Sequence, residues 1–221
     1  MDQKIIESHY EAKQARYYTG VRNDILEMLG DRAGLRILEV GCGDGANGEE
    51  ALKRGIAETY CGIELMRAPA KVAEQRISSV IQGDIEALEL PWAGSSFDVI
   101  IASEVLEHLR DPWSVVARLV RLLSPGGKFF ASSPNIANHR VVRNLLSGRF
   151  ELTDTGVMDR THLRWFTPST YSRMFQDVGM VIEHMGTVGE VKGKSAIARR
   201  FLPRKYEYLF WSQIFVVATR P

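Results

Sequence analysis

Ile37-Leu38-Glu39-Val40-Gly41-Cys42-Gly43-Asp44-Gly45 is an apolar run that ends in an acid and passes into alternate glycines. Helix-forming residues follow at Glu49, Glu50, Ala51, Leu52 and Lys53. The succession predicts a buried parallel strand, a tight turn and the start of a helix. Glycine there permits positive φ and leaves no Cβ between the backbone and a ligand. Glu39 falls at the carboxyl end of the strand, where open α/β sheets bind their ligands.

The run Gly43-Asp44-Gly45-Ala46-Asn47-Gly48 also fits G-x-G-x-x-G, a dinucleotide pattern that is weak when it stands alone. Glu39 argues against a pyrophosphate, because an anion two residues before the first glycine repels phosphate and attracts an ammonium or sulfonium group. Two further acids extend the argument. Tyr60-Cys61-Gly62-Ile63-Glu64 reads as a second strand ending in Glu64, about the ~20 residues downstream at which such folds place a ribose-binding acid. Val80-Ile81-Gln82-Gly83-Asp84-Ile85 reads as a third strand ending in Asp84, able to accept a hydrogen bond from an exocyclic amine. Three acids at three strand ends suit a ligand with an ammonium group, a ribose diol and an adenine. A NAD-dependent oxidoreductase stays open as the alternative for the glycine pattern.

The chain has 221 residues, within the size that one α/β domain reaches, so residues 1–221 are expected to form a single domain. A hydrophobic content of 45% with 25% charged residues is that of a soluble globular protein. The net charge of +1 provides no global field for nucleic acid. Cys42 and Cys61 are the two cysteines and read as buried small hydrophobes in a reducing compartment. The start, Met1-Asp2-Gln3-Lys4, is not followed by an apolar stretch, and no apolar run approaches the ~20 residues of a membrane helix. A cytoplasmic enzyme is expected.

Strands are predicted near residues 36–40, 60–64, 79–82, 97–102, 127–133, 180–187 and 213–219, with helices between the first five. This alternation predicts a doubly wound α/β sheet of seven strands, mostly parallel. Spaced apolar positions from Ile5 to Leu29 predict one or two helices, a segment that also holds Arg16, Tyr17, Tyr18 and Arg22. Asp111-Pro112 and Thr167-Pro168 are helix starts. The pattern breaks over residues 134–166 and 188–210, too long for bare loops, and both read as functional insertions. The first carries Asn135, His139, Arg140, Arg143, Arg149, Arg160, His162 and Arg164; the second carries Lys192, Lys194, Arg199, Arg200, Arg204 and Lys205 beside Tyr206, Tyr208 and Phe210. Guanidinium forks suit carboxylate or phosphate, so an anionic small-molecule acceptor is expected on this side. The basic, aromatic second insertion is also a candidate for contact with a membrane surface.

Taken together, these stretches resemble the class I S-adenosylmethionine (SAM)-dependent methyltransferases. The matching elements are Glu39-Val40-Gly41-Cys42-Gly43-Asp44-Gly45, Glu64, Gly83-Asp84-Ile85, Phe97-Asp98-Val99-Ile100-Ile101-Ala102 and Leu123-Ser124-Pro125-Gly126-Gly127-Lys128-Phe129, in the family's order over most of the chain. The resemblance implies a final antiparallel strand, a leading segment (residues 1–30) that covers the cofactor, and SAM as that cofactor. It implies that Gly41, Gly43 and Gly45 let the loop approach the ligand, that Glu64 holds the ribose and that Asp84 holds the adenine amine with Ile85 against the ring. Glu39 would act through the loop amides and the ammonium. Cys42, Leu65, Ser103 and Glu104 complete the expected cofactor set.

Ala102-Ser103-Glu104-Val105-Leu106-Glu107-His108 ends the fourth strand, where the reacting groups are expected. The Asp/Asn-Pro-Pro-aromatic run of DNA amine methyltransferases is absent there, so DNA is not an expected partner. His108 is the candidate base, since a neutral imidazole takes a proton near pH 7. Glu104, Glu107 and His108 at i, i+3 and i+4 would share one face of a helical turn and could ligate a divalent metal. That spacing is similar to the one in ubiquinone-biosynthesis O-methyltransferases and in small-RNA 2′-O-methyltransferases, where the matching residues bind metal. Thr161-His162-Leu163-Arg164-Trp165-Phe166-Thr167 is loosely similar to the segment that adds a histidine in the RNA family, and His162 is expected to contact the acceptor. Methyl transfer to a hydroxyl of a small molecule (a sugar, polyketide or related metabolite) is the leading expectation, RNA 2′-O-methylation the second. A homodimer is possible on this reading.

Overall fold

The computed structural model describes residues 20–188 and 203–221. Within them seven strands form one sheet: β1 (Leu35–Val40), β2 (Ala57–Glu64), β3 (Ser79–Gln82), β4 (Phe97–Ser103), β5 (Leu123–Pro134), β6 (Val181–Gly186) and β7 (Gln213–Thr219). Their order is β3-β2-β1-β4-β5-β7-β6. Strands β3, β2, β1, β4 and β5 pair in parallel, and β7 runs antiparallel between β5 and β6. The expected doubly wound sheet with one reversed final strand is present. The order reverses between β1 and β4, and sheets of this kind open a crevice at the carboxyl ends of such a pair.

Successive strand residues face opposite sides, which explains the near-continuous apolar runs. Leu38, Val40, Ile100, Ala102, Phe129 and Ala131 fill one face; Ile37, Val99, Ile101 and Phe130 fill the other. Helices α1 (Asn23–Leu29), α2 (Ala46–Lys53) and α3 (Arg67–Ala73) contribute Ile25, Leu26, Leu29, Ala51 and Ala73 to the second face. Helices α4 (Pro112–Val120) and α6 (Pro168–Gln176) contribute Val115, Val116, Leu119, Tyr171, Met174 and Phe175 to the first. Asp111 caps α4 by accepting from the Ser114 amide at 3.1 Å, and Thr167 closes a reciprocal capping box with Thr170 on α6.

Three boundaries differ from the sequence reading, the first being β2, which begins at Ala57 instead of residue 60. Strand β3 ends at Gln82, so Asp84 lies two residues beyond it, after Gly83 at φ +156°. Strand β5 begins at Leu123 instead of 127, because the Ser124–Gly127 turn stays attached to the sheet edge: Phe97 pairs with Leu123 and Val99 with Lys128. The first insertion carries α5 (His139–Leu146), and residues 204–210 of the second form a 3-10 helix. Arg16, Tyr17 and Tyr18 of the leading segment, and Lys192, Lys194, Arg199 and Arg200 of the second insertion, lie outside the described residues. Among the described residues no helix is long and apolar enough to cross a membrane.

Candidate active site

A cavity of about 700 Å³ opens at the β1/β4 reversal. Its floor is the loop after β1. Gly41 adopts φ +74°, and an added Cβ would stand 2.6 Å from Val105 Cγ2, so this position takes glycine on two counts. Gly43, at φ +56°, lines the cavity beside it. Gly45 lies outside the cavity wall, and its bare Cα, at φ +80°, lets α2 approach Ala73 of α3, where a Cβ would meet the backbone at 3.0 Å. Cys42 lines the wall, but its sulfur sits where a side chain on Gly62 would be, and burial pushes the thiol pKa far up. Its side chain is core.

Glu39 is buried and held by two neighbours. Tyr60 Oη donates to Oε2 at 2.7 Å, and Asn47 Nδ2 donates to Oε1 at 3.1 Å and to Tyr60 Oη at 3.0 Å. The Arg22 amide in turn donates to Asn47 Oδ1 at 3.3 Å. Glu39 thus ties β1 to β2, α2 and the leading segment through side chains, not through the loop amides that the resemblance implied. Burial pushes its pKa up to about 7 against the pull of Tyr60 and Asn47.

The loop amides go to Glu64 instead. Gly43 N donates to Glu64 Oε2 at 2.9 Å and Met66 N donates to Oε1 at 2.8 Å. Burial raises this carboxyl's pKa while the backbone amides of Met66, Gly43 and Leu65 pull it down. The carboxylate lines the cavity with Leu65. Asp84 Oδ1 accepts from the Glu86 amide at 2.9 Å, which fixes the carboxylate at the cavity wall beside Ile85.

The other end of the cavity is made by the residues after β4. Glu104 adopts φ +55°, a left-handed conformation uncommon outside glycine, and its amide donates to Ser132 O at 3.1 Å. The chain then turns into a single 3-10 turn at Leu106–His108. The expected shared face of Glu104, Glu107 and His108 is therefore broken, because the left-handed residue precedes the helical turn instead of belonging to it. Glu107, His108 and His162 converge instead, with one ligand-type atom from each within 4.8 Å of the others and ring centroids of the two histidines 4.9 Å apart. Glu104 stands apart beside Ser132 and Gln213; burial raises its pKa and those two side chains oppose the rise.

Backbone bonds bring His162 there. The Glu107 carbonyl accepts from the Leu163 amide at 2.8 Å and the Arg164 amide at 2.9 Å, which pins the end of the first insertion to the 3-10 turn. Asp159, buried, accepts from Thr161 N at 2.8 Å and Thr161 Oγ1 at 2.7 Å and shapes the turn before His162. His108 Nδ1 faces Thr161 O at 3.1 Å, and His162 Nδ1 faces Val157 O at 3.1 Å. A carbonyl only accepts, so in both rings Nδ1 is the donor. Sequence reasoning missed Asn47, Tyr60 and Asp159. The Asp-x-Thr spacing at Asp159 was a visible turn signal; nothing local distinguishes Asn47 or Tyr60.

Of the arginines, Arg22, Arg110 and Arg160 line the cavity, but Arg22 is engaged by Asp24 at 2.7 Å and Arg160 by Asp154 at 2.8 Å. Arg140, Arg143, Arg149 and Arg164 lie outside its wall, as does His139.

A crevice of this position and donor set is that of an α/β enzyme that binds an adenosyl cofactor. A family model described as "Methyltransferase domain" matches residues 10–185, and the chain belongs to that family. It is a SAM-dependent methyltransferase. The ubiquinone biosynthesis O-methyltransferase of Aeromonas salmonicida is 28% identical over 184 residues, covering 80% of this chain and 76% of the relative. The 27-O-demethylrifamycin SV methyltransferase of Amycolatopsis mediterranei is 35% identical over 118 residues, covering 50% and 42%. An S-adenosylmethionine-dependent methyltransferase structure from Mesorhizobium loti shares the fold at TM-score 0.63 and 22% identity, covering 90% of this chain and 96% of that one. The NAD-dependent alternative for the glycine run is thereby set aside.

Proposed function

We propose that this enzyme methylates a hydroxyl oxygen of a small molecule. The convergence of Glu107, His108 and His162 at the far end of the cofactor cavity carries the reading. The names of two relatives, both O-methyltransferases, support it. At the cofactor end, Glu64 would accept from the ribose hydroxyls, Asp84 from the adenine amine, and Ile85 and Leu65 would flank the adenosyl group. The Glu64 carboxylate at the cavity wall, the carboxylate fixed at Asp84 and the exposed backbone at Gly41 fit that ligand.

Bound SAM supplies an electrophilic methyl carbon on a positively charged sulfur. The protein's part is to place the acceptor oxygen in line and to take its proton. A histidine Nε2 lone pair at the cluster serves as the proton's destination, while the neighbouring carboxylate favours the imidazolium that results. The same two imidazoles and one carboxylate form a donor set suited to a divalent cation, which Glu107, His108 and His162 would hold and which would supply Lewis acidity to the hydroxyl. A net charge of +1 favours a small acceptor over RNA.

The test is transfer of a labelled methyl group from SAM to a panel of hydroxylated metabolites, run before and after chelation. Product labelled on oxygen supports the reading, and recovery with added metal assigns the cluster to a cation. Labelling only on nitrogen or carbon overturns it.

A further inference from the structure

One carboxylate joins the two ends of the cavity. Glu86 follows Asp84 in the loop after β3, and its side chain is 20% exposed. Its Oε2 accepts from the Arg110 amide at 3.1 Å and its Oε1 from the Asp111 amide at 2.8 Å, from 24 and 25 residues away. Both bonds have a charged acceptor, the stronger class of hydrogen bond. The Arg110 guanidinium adds little, since its Nε stands 3.9 Å from Oε2 and that side chain is 56% exposed. The link runs through the backbone.

Local sequence does not supply these bonds. Asp111 is the N-cap of α4, and in a capping box the side chain three residues on takes the N-cap amide. Here that residue is Ser114, whose hydroxyl donates to Asp111 Oδ2 at 2.6 Å. The Asp111 amide is left to an acid from a distant loop. Arg110 is also held from the other side. Its carbonyl accepts from Arg164 Nη2, and the Arg164 amide donates to Glu107 O at 2.9 Å. The backbone of Arg110 is thus where three segments meet: the loop after β3, the chain leaving the His108 turn and the chain following His162.

Glu86 is fixed to the cofactor side as firmly. Its amide donates to Asp84 Oδ1 at 2.9 Å, and the Asp84 carbonyl accepts from the Ala87 and Leu88 amides, each at 2.9 Å. Displacing Asp84 therefore displaces Glu86, and with it the backbone two residues after His108. We propose that Glu86 is a positioning residue: it sets the His108 turn, and the His162 segment bonded to it, according to how Asp84 is held. The inference rests on the proposed place of adenine at Asp84, but it does not require His108 to be the base. A shift of about 1 Å made far from the reacting atoms is enough to lower a rate about a hundredfold.

Deuterium exchange on the full chain, read with and without saturating S-adenosylhomocysteine, tests the link without an acceptor. In the parent the ligand should slow exchange at residues 84–88 and also at the Leu163 and Arg164 amides, which are bonded to Glu107 O. In E86A the slowing at 84–88 should remain, and that at residues 163 and 164 should be lost. E86Q keeps one carbonyl acceptor and should restore part of it. Equal slowing at 163 and 164 in parent and E86A, or none there in the parent, overturns the proposal. No slowing at 84–88 in the parent would instead remove adenine from Asp84, and the proposal with it. Turnover adds a second reading on any acceptor found by methyl labelling. E86A should lower kcat by about tenfold or more while the KM for SAM changes little. A lowered melting point with kcat unchanged would reduce Glu86 to a helix cap and overturn the proposal.

Discussion

The two ends of the cavity are built differently. At the cofactor end each carboxylate has a partner inside the protein: Glu39 takes Tyr60 and Asn47, Glu64 takes two amides, and Asp84 takes the Glu86 amide. At the other end, after β4, Ser103 Oγ and Glu104 Oε1 are buried with no hydrogen-bond partner among the described residues, although the resemblance counted both residues with the cofactor set and Glu104 also meets Ser132 and Gln213. A buried polar group left unmade costs about 1–3 kcal/mol. The cofactor end is therefore preorganised by its own hydrogen bonds, whereas the end after β4 carries buried polar atoms that the described residues leave unmet.

The largest expected break between the two ends is kinetic. His108→Ala should lower turnover by about 10²–10⁴-fold, the range for a lost general acid–base group, while S-adenosylhomocysteine still raises the melting point. Unchanged turnover would leave His108 with no part in the chemistry. Asp84→Ala should act in the opposite sense, on the cofactor end alone. Loss of a charge-assisted hydrogen bond worth roughly 1.5–3 kcal/mol weakens SAM by about tenfold to a hundredfold in calorimetry. Unaltered affinity would remove Asp84 from the adenine site. Gly41→Ala combines a strained φ with a contact at Val105, so it should destabilise the fold by about 1–3 kcal/mol and weaken SAM as well. Gly45→Ala, packed on Ala73 outside the cavity wall, should lower the melting point with less effect on SAM. A larger effect on SAM at Gly45 than at Gly41 would reverse the assignment of the two glycines.

The same division governs what the sequence made legible. The cofactor end is local: strand, turn and acid follow one another within β1 and its loop, so period and glycine spacing were enough to place Glu39, Gly41 and Gly43 at one crevice, and Glu64 joins them because it ends the neighbouring strand β2. Glu39 itself was misread in its partners, because Tyr60 and Asn47 reach it only through β1–β2 pairing and α2 packing, and side-chain direction across elements is not written in spacing. At the acceptor end the regular helical face assumed for Glu104, Glu107 and His108 failed at one residue, since a glutamate at φ +55° carries no glycine to announce it. His162 was visible as a residue type, but its approach to His108 depends on two amides donating to the Glu107 carbonyl from 56 and 57 residues away. Contacts of that separation leave no periodic trace.

The smallest expected effect concerns protons at Glu39. Its pKa in the folded protein is about 7 against an ordinary 4.5, with burial as the main cause. A raised folded value means that the native state holds a proton the unfolded chain has released. The cofactor-free protein should therefore keep the full contribution of Glu39 below about pH 4.5, lose it progressively as pH rises toward 7, and change little above that. SAM carries positive charge into the same cavity, and a nearby cation favours the ionised carboxylate. Binding should then release a proton, and SAM affinity should rise severalfold between pH 6 and pH 8. Glu39→Gln keeps the hydrogen bond from Tyr60 but cannot ionise, so its affinity should be flat over that range. Calorimetry at pH 6, 7 and 8 decides the matter. An equal slope in parent and variant would mean that the cofactor's charge is read elsewhere, with Glu64 as the next carboxyl to examine, since its pKa is raised by the same burial and its oxygens line the same wall.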